Sequence, residues 1–281
     1  MQIVIVGAGG MLGQDVSEVL GERYPNTVCA TRDEIDITDY FHTRWELERL
    51  DANVVVNCAA FTDVDGCETE TEKAFQVNAE GAGNLARACA EIGARVLHVS
   101  TDFVFDGNQQ IPYQEEDPTN PQSAYARSKL EGEQQVRAGN PDHVILRCAW
   151  LYGPHGRNFI SAILGRAHAG QPVRVVTDQR GTPTYTHDLA LAVDRILDTK
   201  VTGVVHFANS GVCTRYEFAQ EALRLAGLEA PLEPIRTADL QDRPAQRPAF
   251  SALDSGKFTE MTGVLPRPWQ ETLVDYIKAT S

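Results

Sequence analysis

The sequence predicts an α/β fold, a doubly wound parallel sheet with a smaller C-terminal lobe. Three observations carry that reading. Short apolar, β-branched runs alternate with longer helical patterns through the first half of the 281-residue chain. A glycine cluster, "VIVGAGGMLG" (4–13), follows the first of those runs. Beyond about residue 150 the alternation gives way to segments punctuated by Pro and Gly, such as "YGPHGRN", "QRGTPTY" and "RPAQRPAF". Strand-like runs separated by helices of about ten residues or more imply βαβ units. Their right-handed crossovers put helices on both faces, and ligands then bind at the carboxyl ends of the strands.

Taken in order, "QIVIV" (2–6) is the first strand and "MLGQDVSEVLGERY" (11–24) the first helix. "NTVCAT" (26–31) and "DANVVVNCAA" (51–60) are the second and third strands. "ETEKAFQVNAEGAGNLARACAEIG" (70–93) reads as one long helical segment, and "ARVLHVS" (94–100) as the fourth strand. A helix over 123–138 and a strand at "HVILRCA" (143–149) complete the series. Residues 1–150 are therefore expected to form the main domain, and 151–281 mainly a second lobe whose chain partly returns to the sheet.

Thirty-nine acidic against 25 basic residues give a formal charge of −14. No basic field exists to attract phosphate chains, so neither nucleic acid nor an anionic membrane is an expected partner. No apolar run approaches the roughly 20 residues needed to span a bilayer. The N-terminus runs straight into a strand with no basic leader pattern, so no signal peptide is expected. The six cysteines (Cys29, Cys58, Cys67, Cys89, Cys148 and Cys213) form no C-x-x-C pair. They read as reduced thiols of a cytoplasmic protein, and no metal site is predicted.

Gly7, Gly10 and Gly13 make a G-x-x-G-x-x-G turn between strand and helix, while G-x-G-x-x-G fails because Leu12 stands at its last position. A tight turn, close backbone approach and a helix N-terminus with free N–H groups are what a pyrophosphate needs, so the main domain reads as Rossmann-like and dinucleotide-binding. The second strand ends "CATRDEID". Arg32 there suits the 2′-phosphate of NADPH. If Asp33 or Glu34 instead meets the ribose, NADH is the cofactor.

Tyr125 and Lys129 in "YARSK" share one helix face at i,i+4. An ammonium beside a phenol lowers its pKa and makes it a usable proton donor to a carbonyl oxygen. Ser100 and Thr101 end the fourth strand, where a hydroxyl can reach the same oxygen. The rival reading is an ordinary surface helix.

These residues, with "DITD" (36–39), "VNCAAFTDVDGCE" (56–68), "STDFVFDG" (100–107), "LRCAWLYG" (146–153), "DQRGTPTYTHDLA" (178–190) and "RPAFSALDSGKF" (247–258), resemble the extended short-chain dehydrogenase/reductases. Within them the chain is similar, nearly end to end, to the dTDP-4-dehydrorhamnose reductase family. The resemblance implies catalytic roles for Tyr125, Lys129 and Thr101, with Lys129 holding the nicotinamide ribose, so that Tyr125 and Lys129 also count among the cofactor contacts. It implies a pyrophosphate site at Gly10, Met11 and Leu12, and cofactor contacts at Asp36, Ile37, Ala59, Ala60, Phe61, Thr62 and Val99. Thr101, Asp102, Trp150 and Val64 would meet the dTDP-4-keto sugar substrate. A core position is the rival for Trp150. Arg247 would reach the diphosphate or else anchor an ion pair.

The implied reaction is NAD(P)H-dependent reduction of a C4 keto group. Phe103 departs from the tyrosine common at that place. Ligands for the magnesium some members bind are not matched, so monomer or homodimer stays open. The alternatives are a reductase, epimerase or dehydratase of another nucleotide sugar, and a regulatory subunit like the one of methionine adenosyltransferase.

Overall fold

Every residue of Ile3–Val6, Val54–Asn57 and His143–Cys148 is buried, as expected of parallel strands covered on both faces. In the computed structural model, which describes residues 1–240 and 243–280, they belong to one six-stranded parallel sheet. The strands are β1 (Ile3–Val6), β2 (Val28–Ala30), β3 (Val54–Asn57), β4 (Arg95–Thr101), β5 (His143–Cys148) and β6 (Gly203–His206). Their order across the sheet is 6-5-4-3-1-2. Eight longer helices accompany them: α1 (Met11–Arg23), α2 (Tyr40–Arg49), α3 (Ala82–Glu91), α4 (Ala124–Gly139), α5 (Phe159–His168), α6 (Thr186–Leu197), α7 (Arg215–Leu225) and α8 (Trp269–Thr280).

The period-two alternation of the strands divides the core. Ile3, Ile5, Leu97 and Leu146 face α1 and α6, meeting Val16, Leu189 and Val193. Val4, Val6, Val96 and Ile145 face the other way, onto Leu47 of α2, Leu85 of α3 and Val136 of α4. Beyond β5 a second core gathers aromatic rings: Trp150, Tyr152, Tyr185, Phe218, Trp269 and Tyr276. The chain returns from this lobe as β6, paired in parallel with β5 through Val204↔Ile145 and its neighbours.

Two elements differ from the sequence reading. Helix α2 occupies a stretch the sequence reading leaves unassigned. Only Thr43 and Leu47 of its ten residues are buried, so its apolar stripe is too thin to show as a period. An Asp39 cap on the His42 N–H sets its start instead. The long helical segment over 70–93 is not one helix either. It runs as Thr71–Phe75, a π-helical stretch Gln76–Gly81, and then α3. At the widened turn the Asn78 carbonyl approaches α4 so closely that a β-carbon on Gly132 would lie 2.1 Å from it.

Among the described residues, no helix is long and apolar enough to cross a membrane. All six cysteines are free thiols.

Candidate active site

The strand order reverses beside β1, and the crevice opens there, between the ends of β1 and β3. Gly7 has φ +78°, and a β-carbon on it would sit 2.6 Å from the Ala59 nitrogen at the end of β3. A β-carbon on Gly13 would lie 2.3 Å from the Gly7 carbonyl, so α1 can close on the turn only without one. Gly10 stands at the N-cap of α1 and offers no side-chain cap, whereas Asp39, Ser123, Asn158 and Thr214 cap α2, α4, α5 and α7. The first N–H groups of α1 are thus left for a ligand anion.

A groove of about 340 Å³ runs from this turn. It brings together Gly7, Gly10, Arg32, Asp36, Ile37, Ala59, Ala60 and Phe61. Met11, Leu12, Gly13, Thr62 and Val99 lie outside its lining. Leu12 is a core side chain, Thr62 is exposed on the loop after β3, and Val99 turns its carbonyl to Lys129. At the end of the groove the Arg32 side chain is 73% exposed, with a loose 3.4 Å contact to Asp36. The Glu34 carboxylate is folded back onto the Thr31 N–H (2.8 Å) and hydroxyl (3.0 Å). An acid is therefore engaged and a guanidinium is available, the arrangement that fits NADPH.

Helix α4 begins where the Ser123 hydroxyl accepts the Ala126 N–H, and its first turns carry Tyr125 and Lys129. Tyr125 is half-buried, its ring edge-on to Phe103 at 5.9 Å. Lys129 is buried and donates to the Val99 carbonyl at 2.7 Å. The expectation of an acidified phenol needs correction. Burial is the dominant influence on Tyr125 and raises its pKa well above the ordinary value, with the Thr101 hydroxyl opposing. Burial likewise pushes Lys129 down to about 8, with Glu133 opposing. The phenol is held protonated, which is the form a proton donor needs.

Thr101 lies beside Tyr125. Its hydroxyl accepts the Phe103 N–H at 3.2 Å and donates to Asp102 at 3.0 Å. Ser100 is already engaged. Strand alternation turns it, like His98, toward α4, where its hydroxyl donates to Glu133 at 2.5 Å. Glu133 in turn holds Arg147 in a buried pair.

Among the residues expected to meet the substrate, Asp102 is buried, and burial pushes its carboxyl up to about 6. The Ser251 and Thr101 hydroxyls oppose that shift. Trp150 is only 8% exposed and takes a left-handed backbone, φ +47°. The Arg215 guanidinium lies 3.6 Å over its ring. Sequence reasoning missed Arg215, whose only local signal is its place in the first turn of α7 after the Thr214 cap. Arg247 forms a two-pronged ion pair with Asp65, at 3.0 and 2.6 Å, so the geometry favours its anchoring reading. Val64 is half-buried on the same loop as Asp65. Elsewhere, Asp15, Glu18 and His155 bring one ligand-type atom each to within 4.8 Å of one another.

Along residues 1–281 the chain matches the family described as the RmlD substrate binding domain. It is 42% identical to the dTDP-4-dehydrorhamnose reductase of Mycobacterium tuberculosis over 99% of this chain and 93% of that protein. A crystal structure of a dTDP-4-dehydrorhamnose reductase, an RfbD ortholog from Clostridium acetobutylicum, is similar with a TM-score of 0.95 and 40% identity, covering 99% of both chains. The dTDP-4-dehydrorhamnose reductase of Bacillus anthracis, solved in complex with NADP, has a TM-score of 0.95 and 31% identity over 99% of this chain and 98% of that one.

Proposed function

This chain belongs to the RmlD substrate binding domain family, and we propose that it reduces the C4 keto group of dTDP-4-dehydro-L-rhamnose, with NADPH as cofactor, to dTDP-L-rhamnose. The observation that supports the reading is the Tyr125–Thr101 hydroxyl contact, next to Phe61 of the groove that ends at Arg32. Residues 1–150 hold the cofactor, and residues 151–281 mainly hold the sugar nucleotide. When bound, the reduced nicotinamide supplies the hydride. The uncapped start of α1 binds the pyrophosphate, and Arg32 clasps the 2′-phosphate. Tyr125 gives its proton to the substrate oxygen while the Thr101 hydroxyl holds that oxygen in place. The Lys129 ammonium offsets the charge left on the phenolate. Free thiols throughout suit a reducing compartment such as the cytoplasm.

The test is spectrophotometric: NADPH oxidation by the purified chain over a panel of dTDP-4-keto sugars. Turnover is expected with dTDP-4-dehydro-L-rhamnose and should exceed that with the other sugars. Oxidation with none of them overturns the reading and would favour a regulatory subunit.

Arg32→Ala should weaken NADPH binding more than NADH binding, because only NADPH offers a 2′-phosphate. Loss of a charge-assisted hydrogen bond costs about 1.5–3 kcal/mol. Titration of both cofactors into the variant checks this, and equal losses would remove Arg32 as the discriminator.

A further inference from the structure

The inward end of Lys129 belongs to a hydrogen-bond chain whose direction can be read atom by atom. Asn57, the last residue of β3, is buried, and its side-chain oxygen accepts the Ala59 N–H at 3.0 Å. That contact fixes the amide, because the reversed amide would set its NH₂ against an N–H. Asn57 Nδ2 therefore faces His98 Nδ1, at 2.9 Å, and donates to it. His98 is fully buried, and burial, with the neighbouring Lys129 charge, holds it neutral by lowering its pKa far below the ordinary value. A neutral imidazole that accepts at Nδ1 carries its one proton at Nε2. Nε2 lies 3.2 Å from Lys129 Nζ. An ammonium has no lone pair to receive that N–H, whereas a neutral amine has one. The Val99 carbonyl accepts from either form.

We propose that Asn57 and His98 are positioning residues that set the upper pH limit at which Lys129 keeps its proton, by turning a donor rather than an acceptor toward its inward side. The proposal deepens the catalytic reading given above and rests on it. The other groups around Lys129 do not supply the missing acceptor. Cys58 and Cys148 are thiols kept protonated by burial. Glu133, on its own helix, is taken by Arg147 at 2.9 and 2.7 Å and by Ser100. Burial acts in the same sense as the His98 proton. An ammonium is the form that offsets a Tyr125 phenolate. The reductive rate should therefore fall as rising pH removes the Lys129 proton, at a pH below the ordinary lysine value.

Asn57→Asp tests the direction of the chain. A carboxylate only accepts, so His98 must then carry its proton at Nδ1 and turn its Nε2 lone pair to Lys129. The alkaline limb of kcat should move up by about one pH unit or more, a tenfold rise in proton affinity per unit. In cofactor-free protein, ¹⁵N spectra should show the His98 proton at Nε2 in the wild type and at Nδ1 in the variant. A wild-type proton at Nδ1 overturns the proposal, and so does an unmoved alkaline limb in a folded variant. If N57D does not fold, the wild-type ¹⁵N spectra decide alone: a His98 proton at Nε2 is expected, and one at Nδ1 overturns the proposal. The spectra need no substrate, so their failure is distinct from failure of the proposed reaction.

Discussion

Replacing Tyr125 by phenylalanine should lower kcat by about 10²–10⁴-fold, the usual worth of a general acid, with NADPH affinity nearly unchanged. The phenol is the group that burial keeps protonated beside the Thr101 hydroxyl. The ring itself rests edge-on against Phe103, a contact phenylalanine keeps. The groove along Gly7, Arg32 and Ala59 does not include Tyr125, so most cofactor contacts survive the change. Steady-state kinetics with the proposed sugar, alongside NADPH titration, checks both halves. A variant with near wild-type kcat would take Tyr125 out of the chemistry.

Trp150→Ala should cost about 3–5 kcal/mol, the range for emptying a large aromatic site in a core. The indole is buried in the second-lobe core, and the Gly181 backbone packs so tightly on it that a β-carbon there would lie 2.5 Å from the ring. Removing the ring also leaves Arg215 without the face it covers, and burial already pushes that guanidinium down to about 10. The thermal midpoint should fall by several degrees. A higher KM for the sugar nucleotide would follow from the disturbed lobe. Measuring Tm and KM on the one variant separates the two readings of Trp150. A large rise in KM with an unmoved Tm would make the indole a substrate contact and not a core residue.

How much of this was legible before the structure depended on how local the signal was. Ile3–Val6, the glycine turn and the Tyr125–Lys129 spacing announce themselves within a dozen residues, and the strand ends then bring them to one crevice. Ser100 and Thr101 both looked available, yet Ser100 faces α4, where the Glu133 carboxylate, paired with Arg147, claims its hydroxyl. The neighbours of Lys129 were out of reach for the same reason. Asn57 and His98 sit on different strands and meet only once β3 and β4 pair. Arg215 meets Trp150 only through tertiary packing. Helix α2 stayed hidden because almost nothing on it is buried.

The return of the chain as β6 has a consequence for how the protein is made. Until Gly203–His206 leaves the ribosome, β5 is the raw edge of the sheet, with Val144, Ile145 and Leu146 lacking their outer partner strand. At about 5–20 residues per second the stretch between Cys148 and Gly203 takes several seconds to synthesise. During that interval the nascent sheet presents an unpaired, apolar strand able to pair with a neighbouring chain. A fragment ending near residue 150 would keep that edge permanently and should aggregate, although it carries the entire glycine turn and the Tyr125–Lys129 helix. The second lobe therefore also closes the first, and expression trials of the isolated first half should yield inclusion bodies where the whole chain stays in solution.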